Sequence, residues 1–131
     1  MEQAQWFTSA PRGRSEIVAV SVDTRVTKAA QVMNQNRVGC LVVVDEAGKL
    51  AGIVSERDIL RWVSGASPAT YTAVVRDIMT AGVVTCTRDT SPGEAHRIMV
   101  QHGIRHLPVV EGGRPVGMLS ARDLMSRQAG I

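Results

Sequence analysis

Gly52-Ile53-Val54-Ser55-Glu56-Arg57-Asp58 returns 65 residues later as Gly117-Met118-Leu119-Ser120-Ala121-Arg122-Asp123. In both segments a glycine and two apolar residues lead into Ser-x-Arg-Asp. Upstream the offset becomes 66: Asp23-Thr24 falls on Asp89-Thr90, and Ala29, Met33 and Gln35 fall on Ala95, Met99 and Gln101. Leu41, Val43 and Val44 fall on Leu107, Val109 and Val110. That is 8 identities over residues 23–45 and 4 over residues 52–60, with apolar pairs filling most of the remainder. The 131-residue chain is therefore two copies of a smaller unit.

Each copy carries the same order of signals. Val26, Ala29, Ala30 and Met33 recur at helical spacing, which predicts a helix from about Val26 to Asn36. In the second copy Ser91-Pro92-Gly93-Glu94 reads as a capping box with proline at the first helical position, and Gly103 reads as the stop. Cys40–Val44 and Leu107–Val110 are apolar, β-rich runs, expected as strands covered on both faces. Turns at Ala47-Gly48 and Gly112-Gly113 lead to second strands, Leu50–Val54 and Pro115–Leu119. Helices then start at Ser55 and Ser120. Short extended segments, Ile17–Val22 and Val83–Thr87, precede the units, and Tyr71–Met79 is expected as a linker helix. The expected fold class is α/β (α+β), with two α-β-β-α repeats. The boundaries are an arm over residues 1–16, repeat one over 17–63, a linker over 64–80 and repeat two over 81–131. Neither copy alone covers both faces of its small sheet, and two together could.

Composition narrows the function. Hydrophobic residues are 44% and charged residues 21%, which suits a folded globular chain. The four aromatics, Trp6, Phe7, Trp62 and Tyr71, are too few for a base-stacking surface. The net charge of +3 comes from scattered arginines, a mild attraction for anions rather than a nucleic-acid footprint. Cys40 and Cys86 form no C-x-x-C pair and are expected as buried thiols in a reducing, cytoplasmic setting. No apolar run approaches the roughly 18 residues of a membrane span.

Chemistry concentrates at Ser-x-x-Asp. Serine at a helix N-cap sets an oxygen beside unpaired N–H groups, and that helix end favours an anion. The aspartate three residues on can accept hydroxyl donors such as a ribose 2′,3′-diol. The preceding glycine is expected to let a ligand approach the backbone. The same pattern is also a plain capping device. Arg105-His106, at the entry of the second copy's strand, provide phosphate donors, whereas the matching Gly39-Cys40 carry no charge. Ser120, His106 and Asp123 are the residue types of a hydrolytic triad, but no G-x-S-x-G surrounds the serine. His96, His102 and His106 show no metal-ligand spacing, and no P-loop is present.

Taken in order, Val74-Val75-Arg76-Asp77-Ile78-Met79-Thr80, Ile104-Arg105-His106-Leu107-Pro108-Val109-Val110 and the two Gly-to-Asp segments resemble a tandem pair of CBS domains. The resemblance runs from Ile17 to about Arg127. It implies two pseudo-twofold-related repeats (a Bateman-type module), which often dimerises into a disc and binds adenine nucleotides in two clefts. By resemblance Val18, Val38 and Gly39 join Met118, Ser120 and Asp123 in one cleft, with Arg105 and His106 reaching phosphates. Thr80, Val84 and Ile104 join Ile53, Ser55 and Asp58 in the other. The two clefts are expected to be unequally occupied, because repeat one lacks its own cations.

The function this implies is a non-enzymatic regulatory module that signals energy or redox state to an effector protein. The expected ligand is AMP, ADP or ATP ahead of NAD(H) or S-adenosylmethionine. No cofactor or metal is required, a homodimer is expected, and neither nucleic acid nor membrane is a partner. The alternatives are a structural dimerisation module with vestigial clefts, a nucleic-acid binder and a hydrolase.

Overall fold

The computed structural model describes residues 17–65 and 72–129, with side chains up to Met125. The arm with Trp6 and Phe7, residues 66–68 of the inter-repeat loop, and Tyr71 lie outside the described residues. The chain divides into two compact units, Val18–Val83 and the segment from Val84 onward.

The first unit holds β1 (Ala19–Ser21), α1 (Val26–Asn36), β2 (Cys40–Val44), β3 (Leu50–Ser55), α2 (Glu56–Ser64), a 3-10 turn at Val75–Asp77, and β4 (Thr80–Ala81). Its sheet runs β1-β2-β3-β4. β1 is parallel to β2, and the other pairs are antiparallel. α1 begins and ends where its periodicity predicts, and buries Val26, Ala29 and Met33. Ala29 and Met33 pack with Val20, Val22, Leu41, Val43, Val54 and Val75 in one core. Val42, which points to the opposite face from Leu41 and Val43, is also buried, as the continuous apolar run of β2 requires.

The expected linker helix over Tyr71–Met79 is not present in the described part of that segment. Its backbone is committed to the head of α1 instead. Val26 donates its N–H to Ala73 at 3.0 Å, and Val75 and Arg76 donate theirs to Thr24 and Val22 at 2.7 and 3.1 Å. With these groups bonded to residues 22–26, the described part of the segment keeps one i→i−4 bond, from the Met79 N–H to the Val75 carbonyl at 2.9 Å. Val75 is fully buried at this crossing, and only the 3-10 turn and β4 follow it.

The second unit holds α3 (Pro92–His102), β5 (His106–Glu111), β6 (Arg114–Ser120) and α4 (Ala121–Ala129). α3 starts after Ser91, whose side chain accepts the Glu94 N–H, and Gly103 closes it at φ 64°. Only this half of the expected capping box forms; the Glu94 carboxylate lies 3.7 Å from Arg97 instead. Cys86, Ala95, Met99, Leu107, Val109, Leu119 and Leu124 form the core. Both β-hairpins shift register at the same place, between Val43 and Val44 and between Val109 and Val110. The duplication thus extends to the irregularities of the fold.

The extended segment expected over Val83–Thr87 is reduced to a single bridge, Cys86 to Val109. In the first unit Val42 donates its N–H to Val18, one rung beyond β1. The matching residue in the second unit is Pro108, which has no N–H to donate, so that rung is missing.

Candidate functional site

In both units the second hairpin strand ends in serine and the following helix returns an aspartate to it. Ser55 donates its backbone N–H to Asp58 Oδ2 at 2.8 Å, and Asp58 donates its N–H to Ser55 Oγ at 3.3 Å. The Ser55 hydroxyl also reaches Asp58 Oδ2, at 3.1 Å. Ser120 donates its N–H to Asp123 Oδ2 at 3.2 Å, and Asp123 donates its N–H to Ser120 Oγ at 3.0 Å. Each pair is thus a complete capping box. The Oδ1 atoms of both aspartates make no hydrogen bond among the described residues, so each keeps one acceptor oxygen for a hydroxyl donor. The Ser120 hydroxyl, unlike that of Ser55, donates nothing to its aspartate.

The strand entry is tied to the same corner. Glu56 donates its N–H to the Gly39 carbonyl at 2.9 Å, and Ala121 donates its N–H to the Arg105 carbonyl at 2.8 Å. Cys40 stands opposite Ser55 in register, and His106 stands opposite Ser120. In the second unit this gathers exposed Arg105, half-buried His106, Ser120 and Asp123 at one helix head. In the first unit it gathers Gly39, buried Cys40, Ser55 and Asp58. Burial pushes the Cys40 thiol up to about 12, with the Asp58 carboxylate adding to the rise. Burial also pushes Cys86 up to about 11, against a hydrogen bond from Thr90 and with the help of Glu94. Both thiols remain protonated and unreactive near neutrality.

The slot residues divide between the units. Val18 and Val38 pack against the first core. Ile53 pairs with Thr80 across β3 and β4. Val84 and Ile104 pack against the second core, and Met118 pairs with Pro108. Gly52 serves strand packing, contrary to the expectation that it opens the backbone to a ligand. Its missing side chain admits the β4 backbone, not a ligand: a Cβ there would lie 2.4 Å from the Thr80 carbonyl oxygen. Glu56 is a residue that no sequence motif marks. A Cβ on Gly39 would stand 3.1 Å from its Cδ and Oε2, so the carboxylate rests over the strand entry. The only sequence signal for it is the acid at Glu56 where repeat two has Ala121. Among the described residues no cluster of His, Cys, Asp or Glu could hold a metal ion, and no helix is long and apolar enough to cross a membrane.

The family model for the CBS domain matches residues 13–65 and again residues 75–130. The CBS domain-containing protein YhcV of Bacillus subtilis is 31% identical over 114 residues, which cover 87% of this chain and 80% of that protein. The chain spans 14% to 66% of the length of other curated relatives that it matches at 30% to 38% identity. Among solved structures, CBSX2 in complex with AMP is similar at a TM-score of 0.76 and 26% identity, covering 97% of this chain and 95% of that one. The CBS domain pair of MJ0100, in complex with 5′-methylthioadenosine and S-adenosyl-L-methionine, is similar at a TM-score of 0.79 and 26% identity. That match covers 89% of this chain and 94% of the other.

Proposed function

Since the chain belongs to the CBS-domain family and carries two copies of the domain, we propose that it is a non-enzymatic regulatory module for adenosyl ligands. AMP, ADP or ATP are the leading candidates. The observation that carries this reading is the corner of Ser120, Asp123, Arg105 and His106. There a free carboxylate oxygen and a hydroxyl stand at a helix head whose first N–H is bonded to the carbonyl of exposed Arg105. Asp123 Oδ1 suits a ribose hydroxyl, and Arg105 and the helix N-terminus suit a phosphate. The ligand-bound relatives, one with AMP and one with methylthioadenosine and S-adenosylmethionine, support the adenosyl class.

The first unit has the same carboxylate arrangement without the cation, so the two repeats differ in what they hold. The ligand biases one of two conformations or assemblies, and an effector protein reads the result. A second copy of the chain is the natural partner in that assembly. The last helix of each unit leaves an apolar side chain outward at the equivalent position, Leu60 in α2 and Met125 in α4.

The test is thermal unfolding against AMP, ADP, ATP, NAD(H) and S-adenosylmethionine. A ligand of the folded state at a hundredfold excess over Kd adds about 2.7 kcal/mol. The proposal expects such a shift with an adenine nucleotide and its loss in Asp123→Ala. No shift with any of them would contradict it and leave a dimerisation module with vestigial sites.

A further inference from the structure

We propose that Glu56 selects the ligand of the first repeat, favouring an adenosyl compound with a neutral or cationic 5′ end over one ending in phosphate. This rests on the adenosyl reading above. Gly39 has no side chain, and the Glu56 carboxylate occupies the space beside it, 3.1 Å from where a Cβ would stand. The 2.9 Å bond from the Glu56 N–H to the Gly39 carbonyl holds the two residues together. In the second repeat the equivalent 2.8 Å bond joins Ala121 to Arg105. The same corner therefore carries a cation in one repeat and an anion in the other.

Glu56 forms no ion pair among the described residues. Arg57 is its sequence neighbour, and adjacent residues on a helix do not face each other. Asp58 adds a second carboxylate in the same first turn of α2. A helix N-terminus attracts anions, but this one already has two of its own. An incoming phosphate meets repulsion there, and a sulfonium or amine meets attraction. The alkyl thioether of methylthioadenosine meets neither.

The experiment is calorimetric titration of the full chain carrying Asp123→Asn, which leaves the Asp58 site to be read. The probes are AMP, 5′-methylthioadenosine and S-adenosylmethionine. The parent is expected to bind the last two more tightly than AMP. Adding Glu56→Gln, on an exposed side chain, is expected to raise AMP affinity about tenfold, an effect that added salt reduces. Methylthioadenosine affinity stays the same and S-adenosylmethionine weakens. Glu56→Lys is expected to move AMP further in the same direction. An unchanged ratio of AMP to methylthioadenosine in both variants would overturn the role of Glu56 while leaving adenosyl binding intact. Failure of all three probes to bind the parent, with binding kept in the wild-type chain, would overturn the role of Glu56 alone; failure in both chains would overturn the adenosyl reading and Glu56's role with it.

Discussion

Ala121 donates its backbone N–H to the carbonyl of Arg105 across 2.8 Å, which fixes the basic strand entry to the head of α4. Glu56 and Gly39 make the same bond at the head of α2. One backbone device thus presents opposite side-chain chemistry in the two repeats.

Gly52 is required by close approach. A Cβ at this position would overlap the Thr80 carbonyl, at 2.4 Å, so Gly52→Ala must break or displace the pairing of β3 with β4. The expected loss is about 1–3 kcal/mol, as for overpacking elsewhere, measured by urea unfolding. Gly93 is the control: nothing lies within 4 Å of its Cβ position, and it sits inside α3. Gly93→Ala is expected to stabilise the chain by about 0.5–1 kcal/mol.

The elements set by local chemistry were legible from residue order alone. The stop at Gly103, the start after Ser91 and both Ser-x-x-Asp caps depend on residues a few positions apart. The segment before Thr80 departs from its helical spacing because Ala73 and Val75 bond to the distant Val26 and Thr24. Helical spacing in such a segment says nothing about a competing acceptor some fifty residues away. Glu56 and Gly52 escaped notice for the same reason. Their meaning lies in what a side chain would meet across the fold, and only coordinates show that.

Pro108 explains a missing rung, so Pro108→Val should restore it. The new N–H stands where Val42 donates to Val18 in the other repeat. The expected result is a slowly exchanging amide at position 108 in native-state hydrogen exchange. Rapid exchange there would mean that the proline is not what shortens the strand.

Cys40 gives the stability a pH dependence. Its thiol is raised from 9.0 to about 12 in the fold by burial and then by Asp58. Above the ordinary thiol value the unfolded chain releases a proton that the native chain keeps, so stability falls as pH rises. The loss is expected to begin near 9 and continue toward 12, and Cys40→Ala should reduce it to the smaller share contributed by Cys86, raised from 9.0 to about 11. Thiol labelling of the native protein at neutral pH is expected to be slow at both cysteines and fast on unfolding.

Leu60, Val63 and Met125 are 68%, 53% and 67% exposed on the last helices of their units. Large apolar side chains grouped on a helix face mark an interaction surface. The chain is expected to run as a dimer in light scattering, and the pair Leu60→Arg and Met125→Arg to run as a monomer. A wild-type monomer would contradict this assembly.

The most direct test of the central claim is titration of AMP into wild type, Asp123→Asn and Asp58→Asn. Asparagine keeps a carbonyl oxygen for the serine N–H and turns the other ligand-facing atom from acceptor to donor. The account predicts that Asp123→Asn removes the tight AMP site, leaving only the weak AMP binding of the Asp58 corner, and that Asp58→Asn leaves the tight site nearly unchanged. Loss in Asp58→Asn alone, or in neither variant, would contradict the assignment of the phosphorylated ligand to the corner of Asp123 and Arg105.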